Sequence, residues 1–211
     1  MDIQFEDSFQ PVNGKKVLLK KKSGISPDIR HYYYKEKIIM TEQDIFSIGT
    51  SRTHVKRTRH YRQMPDGYIT TCDDEYMLRE QIKKENVNGT SHLINKKGIS
   101  VEEVNWVDGV KQGLYILRDP EGQMIEYGRY ENDRVEGEVV QWNEKGQKTA
   151  ILQIKNNLKH GKQRFFENKN EIVEHYVDNV KISHVGAIVN NIKEICGIDQ
   201  KPKTNGVHYK K

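Results

Sequence analysis

Gly113-Leu114-Tyr115-Ile116-Leu117-Arg118-Asp119-Pro120-Glu121-Gly122-Gln123-Met124-Ile125-Glu126-Tyr127-Gly128-Arg129-Tyr130-Glu131-Asn132-Asp133 is the stretch that decides the fold. Two short runs rich in Tyr, Ile and Leu are separated by Asp119-Pro120-Glu121-Gly122 and closed by Asn132-Asp133. Gly, Asn and Asp accept the positive φ of tight turns, so short apolar runs bounded by them predict strands joined in hairpins. A helix fails here because a turn former interrupts each run after a few residues. The unit then recurs. Gly89, Gly113, Gly137 and Gly161 keep a spacing of 24, and Gly98, Gly122, Gly146 and Asn170 follow nine residues after each. A third column reads Trp106, Tyr130, Ile154, with the turn pairs Asp108-Gly109, Asn132-Asp133 and Asn156-Asn157 two residues beyond. The last copy is two residues shorter and ends in Tyr176 and Asp178-Asn179. A fixed period of this length predicts a repeat architecture in which each unit buries its apolar face against its neighbours. The expected fold is all-β, a twisted antiparallel meander of repeated hairpins. Trp106, Tyr130 and Ile154 are expected on one face as a packed row.

With these columns on the page, the chain over about residues 89–182 resembles the variant MORN repeat and is similar to the bacterial MORN-repeat antitoxin family. Gly137-Glu138 and Gly113-Leu114-Tyr115 approach the usual start of a MORN unit. The resemblance implies a stack of β-hairpins and a non-enzymatic protein-interaction module, binding and neutralising or modulating a protein partner as an antitoxin or a secreted effector does.

Composition agrees with a thin sheet. Hydrophobic residues make up 35% and charged residues 31% of the 211, against about 45–50% (glycine included) and about 25% in ordinary globular domains. A sheet that buries mainly one face needs fewer apolar residues. No apolar run reaches the roughly 18–20 residues that span a bilayer, and the first residues do not read as a signal peptide. Cys72 and Cys196 lack metal-type spacing and are expected to be free thiols in a reducing compartment. The expected place is the cytoplasm, with export lacking a classical signal peptide as the other possibility, and the expected state is a monomer.

Working outward, residues 63–88 read as a degenerate repeat, with Asn88-Gly89 leading into the first clear copy. Register favours a strand over 75–86, while propensity alone would make it a helix. Residues 1–62 form a basic, mostly β N-terminal extension, with a break at Lys35-Glu36-Lys37 between two strands. Thr41-Glu42-Gln43-Asp44-Ile45-Phe46 is expected to be one helical turn capped by Thr41. After the repeats, Val185, Ile188, Val189, Ile192, Ile195 and Cys196 stand at i, i+3, i+4, i+7 spacing, which predicts a capping helix over 183–197, followed by a flexible basic tail, 198–211.

Charge is uneven. Residues 14–62 hold 13 Lys and Arg against 4 Asp and Glu, and 89–182 hold 14 against 15. The sharpest cluster is Arg52, Lys56, Arg57, Arg59, Tyr61 and Arg62, a strand with no acidic residue. Basic groups beside an aromatic fit an acidic protein, an anionic lipid surface or a nucleic-acid backbone, and also fit a strand edge kept from aggregation by charge. On the repeats, Tyr115, Trp142 and Phe166 are the candidates for a binding face. No catalytic residue, metal site or cofactor motif stands out: His31, His54, His60, His92, His160, His175 and His184 lack ligand spacing, and Gly-rich phosphate loops are missing. The competing class is an enzyme whose pocket forms between residues 1–88 and the repeats, with His54 or His60 as base.

Overall fold

The structure is a computed structural model. It describes residues 5–23, 29–48, 53–167 and 170–183, with the backbone alone for 23, 44–48 and 53–58. The expected capping helix and basic tail, apart from Ser183, lie outside the described residues, as does Arg52. Within them the chain is all-β. The strands are β1 (Ser8–Pro11), β2 (Val17–Leu18), β3 (Lys20–Ser23), β4 (Ile29–Tyr34), β5 (Lys37–Ile48), β6 (Thr53–Tyr61), β7 (Gly67–Cys72), β8 (Tyr76–Lys83), β9 (Asn86–Asn95) and β10 (Ser100–Val107). They continue as β11 (Val110–Arg118), β12 (Met124–Glu131), β13 (Arg134–Val135), β14 (Gly137–Trp142), β15 (Lys148–Lys155), β16 (Leu158–Lys159), β17 (Gly161–Glu167), β18 (Asn170–Val177) and β19 (Val180–Ile182).

Two antiparallel sheets result. The long one runs β19-β18-β17-β15-β14-β12-β11-β10-β9-β8-β7-β1-β2, with β13 on β12 and β16 on β15. The short one runs β3-β4-β5-β6. Neighbours in sequence are mostly neighbours in space, the expected outcome when hairpin turns are short. One exception is β1, which returns to pair with β7. Residues before the basic strand therefore divide between the two sheets. Of the two alternatives for 75–86, the strand is found. The helical turn over Thr41–Phe46 is not: this segment is continuous β5 backbone, with Glu42 opposite Arg30 on β4 and opposite Arg59 on β6. Pairing on both sides supplies each backbone group with a partner that a single isolated turn cannot offer.

The turn chemistry works at two levels. Asn132-Asp133, Asn156-Asn157 and Asp178-Asn179 take φ of 50 and 64, 53 and 66, and 49 and 68, the left-handed pairs of two-residue hairpins. Each second residue also grips the preceding rung. Asp133, Asn157 and Asn179 donate their N–H to the carbonyls of Lys111, Val135 and Lys159 at 3.1, 3.1 and 2.9 Å. Their Oδ1 atoms accept from the N–H groups of the same three residues at 2.8, 2.6 and 2.7 Å. At the opposite ends, Asn95, Asp119 and Asn143 each accept two backbone N–H bonds within their own turn, at 2.8–3.0 Å.

The main core lies where the short sheet covers β1 and β7–β9. Phe9, Tyr32, Ile39, Met40, Ile69 and Ile82 are fully buried there, with Trp106 packed at its border. Farther along, a smaller cluster of Val139, Ala150 and Leu152 is flanked by Val135, Ile154 and Phe165. The register sets Gly89, Gly113, Gly137 and Gly161 opposite Trp106, Tyr130, Ile154 and Tyr176. Trp106 and Tyr130 are joined through Lys111, whose Nζ lies 5.5 and 4.9 Å from the two ring centres.

Candidate functional site

A polar seam runs through the contact between the sheets. Glu42 on β5 and Glu80 on β8 are 2% and 5% exposed, so their charges must be met locally. The Tyr32 hydroxyl donates to Glu42 Oε2 at 3.0 Å, and the Tyr61 hydroxyl donates to Glu80 Oε2 at 2.7 Å. Arg59 stands between the two acids: its guanidinium is 3.6 Å from Glu42 Oε1 and 4.0 Å from Glu80 Oε1. Arg30 adds a 3.3 Å bond to Glu42. Burial first, and the neighbouring carboxylates second, push both phenols above their ordinary range, so they stay protonated and donating. The strands dictate this placement, since alternation puts 40 and 42 on the face of β5 that meets 59 and 61 of β6.

Clefts open at both sides of the seam. One, of about 260 Å³, is lined by Lys21, Arg30, Tyr32, Glu42, Arg59 and Cys72 among others. The other, of about 530 Å³, is bounded by His60, Tyr61, Glu80, Glu85, Asn86 and Trp106 among others. Neither holds an activated nucleophile. Burial, and then Asp7 at 3.4 Å, push the Cys72 thiol up to about 12, far from a reactive thiolate. His60 shares its cleft with Glu80 and Glu85, yet no hydrogen bond joins it to either. Among the described residues no group of His, Cys, Asp and Glu could hold a metal ion. No helix in them is long and apolar enough to cross a membrane.

The sequence candidates separate into three sets. Arg59 and Tyr61 belong to the buried seam, not to an open basic surface. Charge at an inward position of an edge strand is spent on internal acids. Arg62 is exposed, just past the end of β6, and donates its N–H to the Ile39 carbonyl at 2.8 Å. Lys56 and Arg57 lie within β6 opposite Ile45 and Asp44 of β5. On the long sheet, Tyr115 is a core residue, 5% exposed, and is corrected from a binding-face residue to a packing one. Its ring lies against Gly128, where an added Cβ would come within 2.7 Å of it. Its hydroxyl donates to Glu126 Oε1 at 2.7 Å, and Glu126 Oε2 accepts from Gln141 Nε2 at 2.7 Å. Trp142 is half-buried beside Tyr127, with ring centres 5.7 Å apart. Phe166 is half-buried, with the Arg164 guanidinium 5.3 Å from its ring centre.

Sequence reasoning missed Arg30, Tyr32, Glu42 and Glu80. The available signal was a charged residue at an apolar phase, Glu42 two residues after Met40. The helical-turn expectation for that segment erased the phase.

Compared with known proteins, the chain matches no protein-family model and no curated protein.

Proposed function

We propose that the protein is a non-enzymatic interaction module of MORN-repeat type that takes an extended, acidic segment of a partner protein along β6. The observation that carries this reading is the edge. Among the described residues β6 pairs only with β5, leaving nine residues of strand open on one side. An open strand is a template for strand addition, main-chain bonds giving affinity and side chains giving choice. This strand and its flanks contain Lys56, Arg57 and Arg62 and no acid, so the choice is a negatively charged segment. Support for the MORN-type repeat comes from the turns. Left-handed pairs at Lys84-Glu85, Asp108-Gly109, Asn132-Asp133 and Asn156-Asn157 fall at steps of 24 residues. Two ion-paired clefts without an activated nucleophile favour binding over catalysis. In an antitoxin-like or effector-like role, a cytoplasmic chain of this kind would modulate its target by occupying it.

The test is titration of a labelled Glu- and Asp-rich β-prone peptide into the full chain and into the variant Lys56→Glu/Arg57→Glu/Arg62→Glu. Arg59 stays intact because it belongs to the seam. Binding should weaken with salt, given a screening length of about 8 Å at physiological ionic strength, and should disappear in the variant. Stronger retention of duplex DNA or RNA than of the peptide would reassign the strand to nucleic acid. Equal peptide binding by both proteins would remove β6 from the function.

A further inference from the structure

Of the two clefts beside the seam, the larger opens along the edge of β6. The smaller is lined by all four strands of the short sheet, through Lys21, Tyr32, Glu42 and Arg59. The larger, of about 530 Å³, takes Arg59, His60 and Tyr61 from β6 and, among the described residues, nothing from β5. It therefore lies on the side of β6 where no strand is paired. Its opposite wall is the turn from Lys84 to Val87, together with Trp106 near the end of β10 and Gly109 just beyond.

The lining of this cleft differs in kind from the strand beside it. Its charges balance, Arg59 and Lys84 against Glu80 and Glu85, so an acidic side chain finds no cation there that an acid does not already match. The two rings in the wall have their polar ends engaged. The Tyr61 hydroxyl donates to Glu80 at 2.7 Å, and the Trp106 indole N–H donates to Ser91 Oγ at 2.8 Å. Both rings are half-buried and keep ring carbon to pack against a newcomer, with the Val87 side chain, 8% exposed, beside them. A residue added across from Arg59 or Tyr61 shares their face, because facing residues of paired strands do, and its side chain enters the cleft. We infer that the segment captured by β6 carries an aromatic residue at that place, flanked by acids, and that its ring packs between Tyr61 and Trp106. Aromatic anchors set in pockets carry most of the binding energy of an interface, while the surrounding charge mainly speeds encounter. The inference rests on the strand-edge reading of β6 and adds the side chain by which that strand chooses among acidic segments.

Trp106 provides the probe, since Trp142→Phe leaves it the single tryptophan of the chain. Two acidic, β-prone peptides, alike except for Phe or Ala at the centre, are titrated into the full chain with that substitution. Calorimetry reads affinity and Trp106 emission reads location. The Phe peptide should bind at least about tenfold tighter, as burial of a phenyl ring allows, and should shift the emission, whereas the Ala peptide should bind with little shift. Asn86→Tyr, which adds a ring at the exposed rim of the cleft, should erase the Phe advantage while the circular dichroism stays that of the parent. Acetyl-phenylalanine amide at matched concentration should leave the emission unchanged. Equal affinity of the two peptides would overturn the inference and leave the strand-edge reading standing. A Phe advantage that survives Asn86→Tyr, or that comes without a shift at Trp106, would overturn it by placing the ring elsewhere. A shift with the free amide would overturn it by assigning the cleft to a small aromatic ligand. Binding by neither peptide would end the strand-edge reading and this inference together.

Discussion

Strands β1 and β7–β9 lie under a second sheet, whereas β11–β19 carry none among the described residues. Seven of the eight largest fully buried side chains are in the covered half: Phe9, Tyr32, Ile39, Met40, Glu42, Ile69 and Ile82. The eighth, Gln163, is polar and sits in the uncovered half. Its amide replaces missing ladder bonds, accepting from Gln153 N–H at 3.1 Å and donating to the Gln153 carbonyl at 2.9 Å. The covered half thus gains stability by removing apolar area from water, plus a seam of charges that must be paired. The uncovered half depends on turns, side-chain clasps and short-range stacking. A thin sheet hides few large residues, Tyr115 at 5% exposure being one, so it relies more on backbone groups that find each other.

Breaking the seam should give the largest effect. Arg59→Ala leaves two buried carboxylates without their shared cation, at an expected cost of about 3–5 kcal/mol, read as a drop in the urea midpoint. A loss below about 1 kcal/mol would show the seam to be solvated, and the contrast between halves would narrow. Alkaline titration comes next. Phenols with raised folded pKa hold full stability below the unfolded value of about 10 and lose it above. Denaturant midpoints should stay level in this respect up to about pH 10 and then fall, by about 1.4 kcal/mol per pH unit for each phenol. Tyr32→Phe and Tyr61→Phe should each flatten that fall; an unchanged slope would place the titrating groups elsewhere.

In the uncovered half, Gln163→Leu should cost about 1–3 kcal/mol by leaving the Gln153 N–H without its partner, while the Gln153 carbonyl keeps the His160 N–H at 2.9 Å. Amide exchange at Gln153 should accelerate while β7–β9 stay protected. Smaller still, Asn157→Gly preserves the left-handed turn but removes the grip on Val135, for about 1 kcal/mol, and Asn157→Ala should cost more because it also strains the backbone. If both variants cost the same, the clasp adds nothing beyond turn geometry. The smallest effect carries the opposite sign. Lys84 and Glu85 hold φ of 49 and 62 in the turn between β8 and β9. Lys84→Asn/Glu85→Gly should stabilise the chain by about 0.5–1 kcal/mol, seen as a higher Tm.

The two halves also differ in how far the sequence exposes them. Hairpin turns such as Asn132-Asp133 were legible because positive φ admits few residue types. The strand over β8 was legible only through register, since its Lys-Glu turn gives no such sign. The seam was hidden because pairing between Glu42 and Arg59, or Tyr61 and Glu80, is a matter of which faces meet. Local pattern does not encode that. Tyr115 was misplaced for a related reason: Gly128, across the ladder, makes the room its ring occupies, and a glycine inside a strand signals such an approach only once the partner strand is known.

The turn-to-turn clasps give the molecule a mechanical direction. Each rung from β11 onward is tied to the one before it, and β19 is the last. Tension applied at the C-terminal end would load one short ladder at a time, so hairpins would peel away in sequence at low force, as in unzipping. Nearer the start, β1 closes a loop by pairing with β7, far along the chain. Tension carried that far meets several strands in parallel and would have to shear them together. The chain should therefore yield gradually from one end and abruptly from the other.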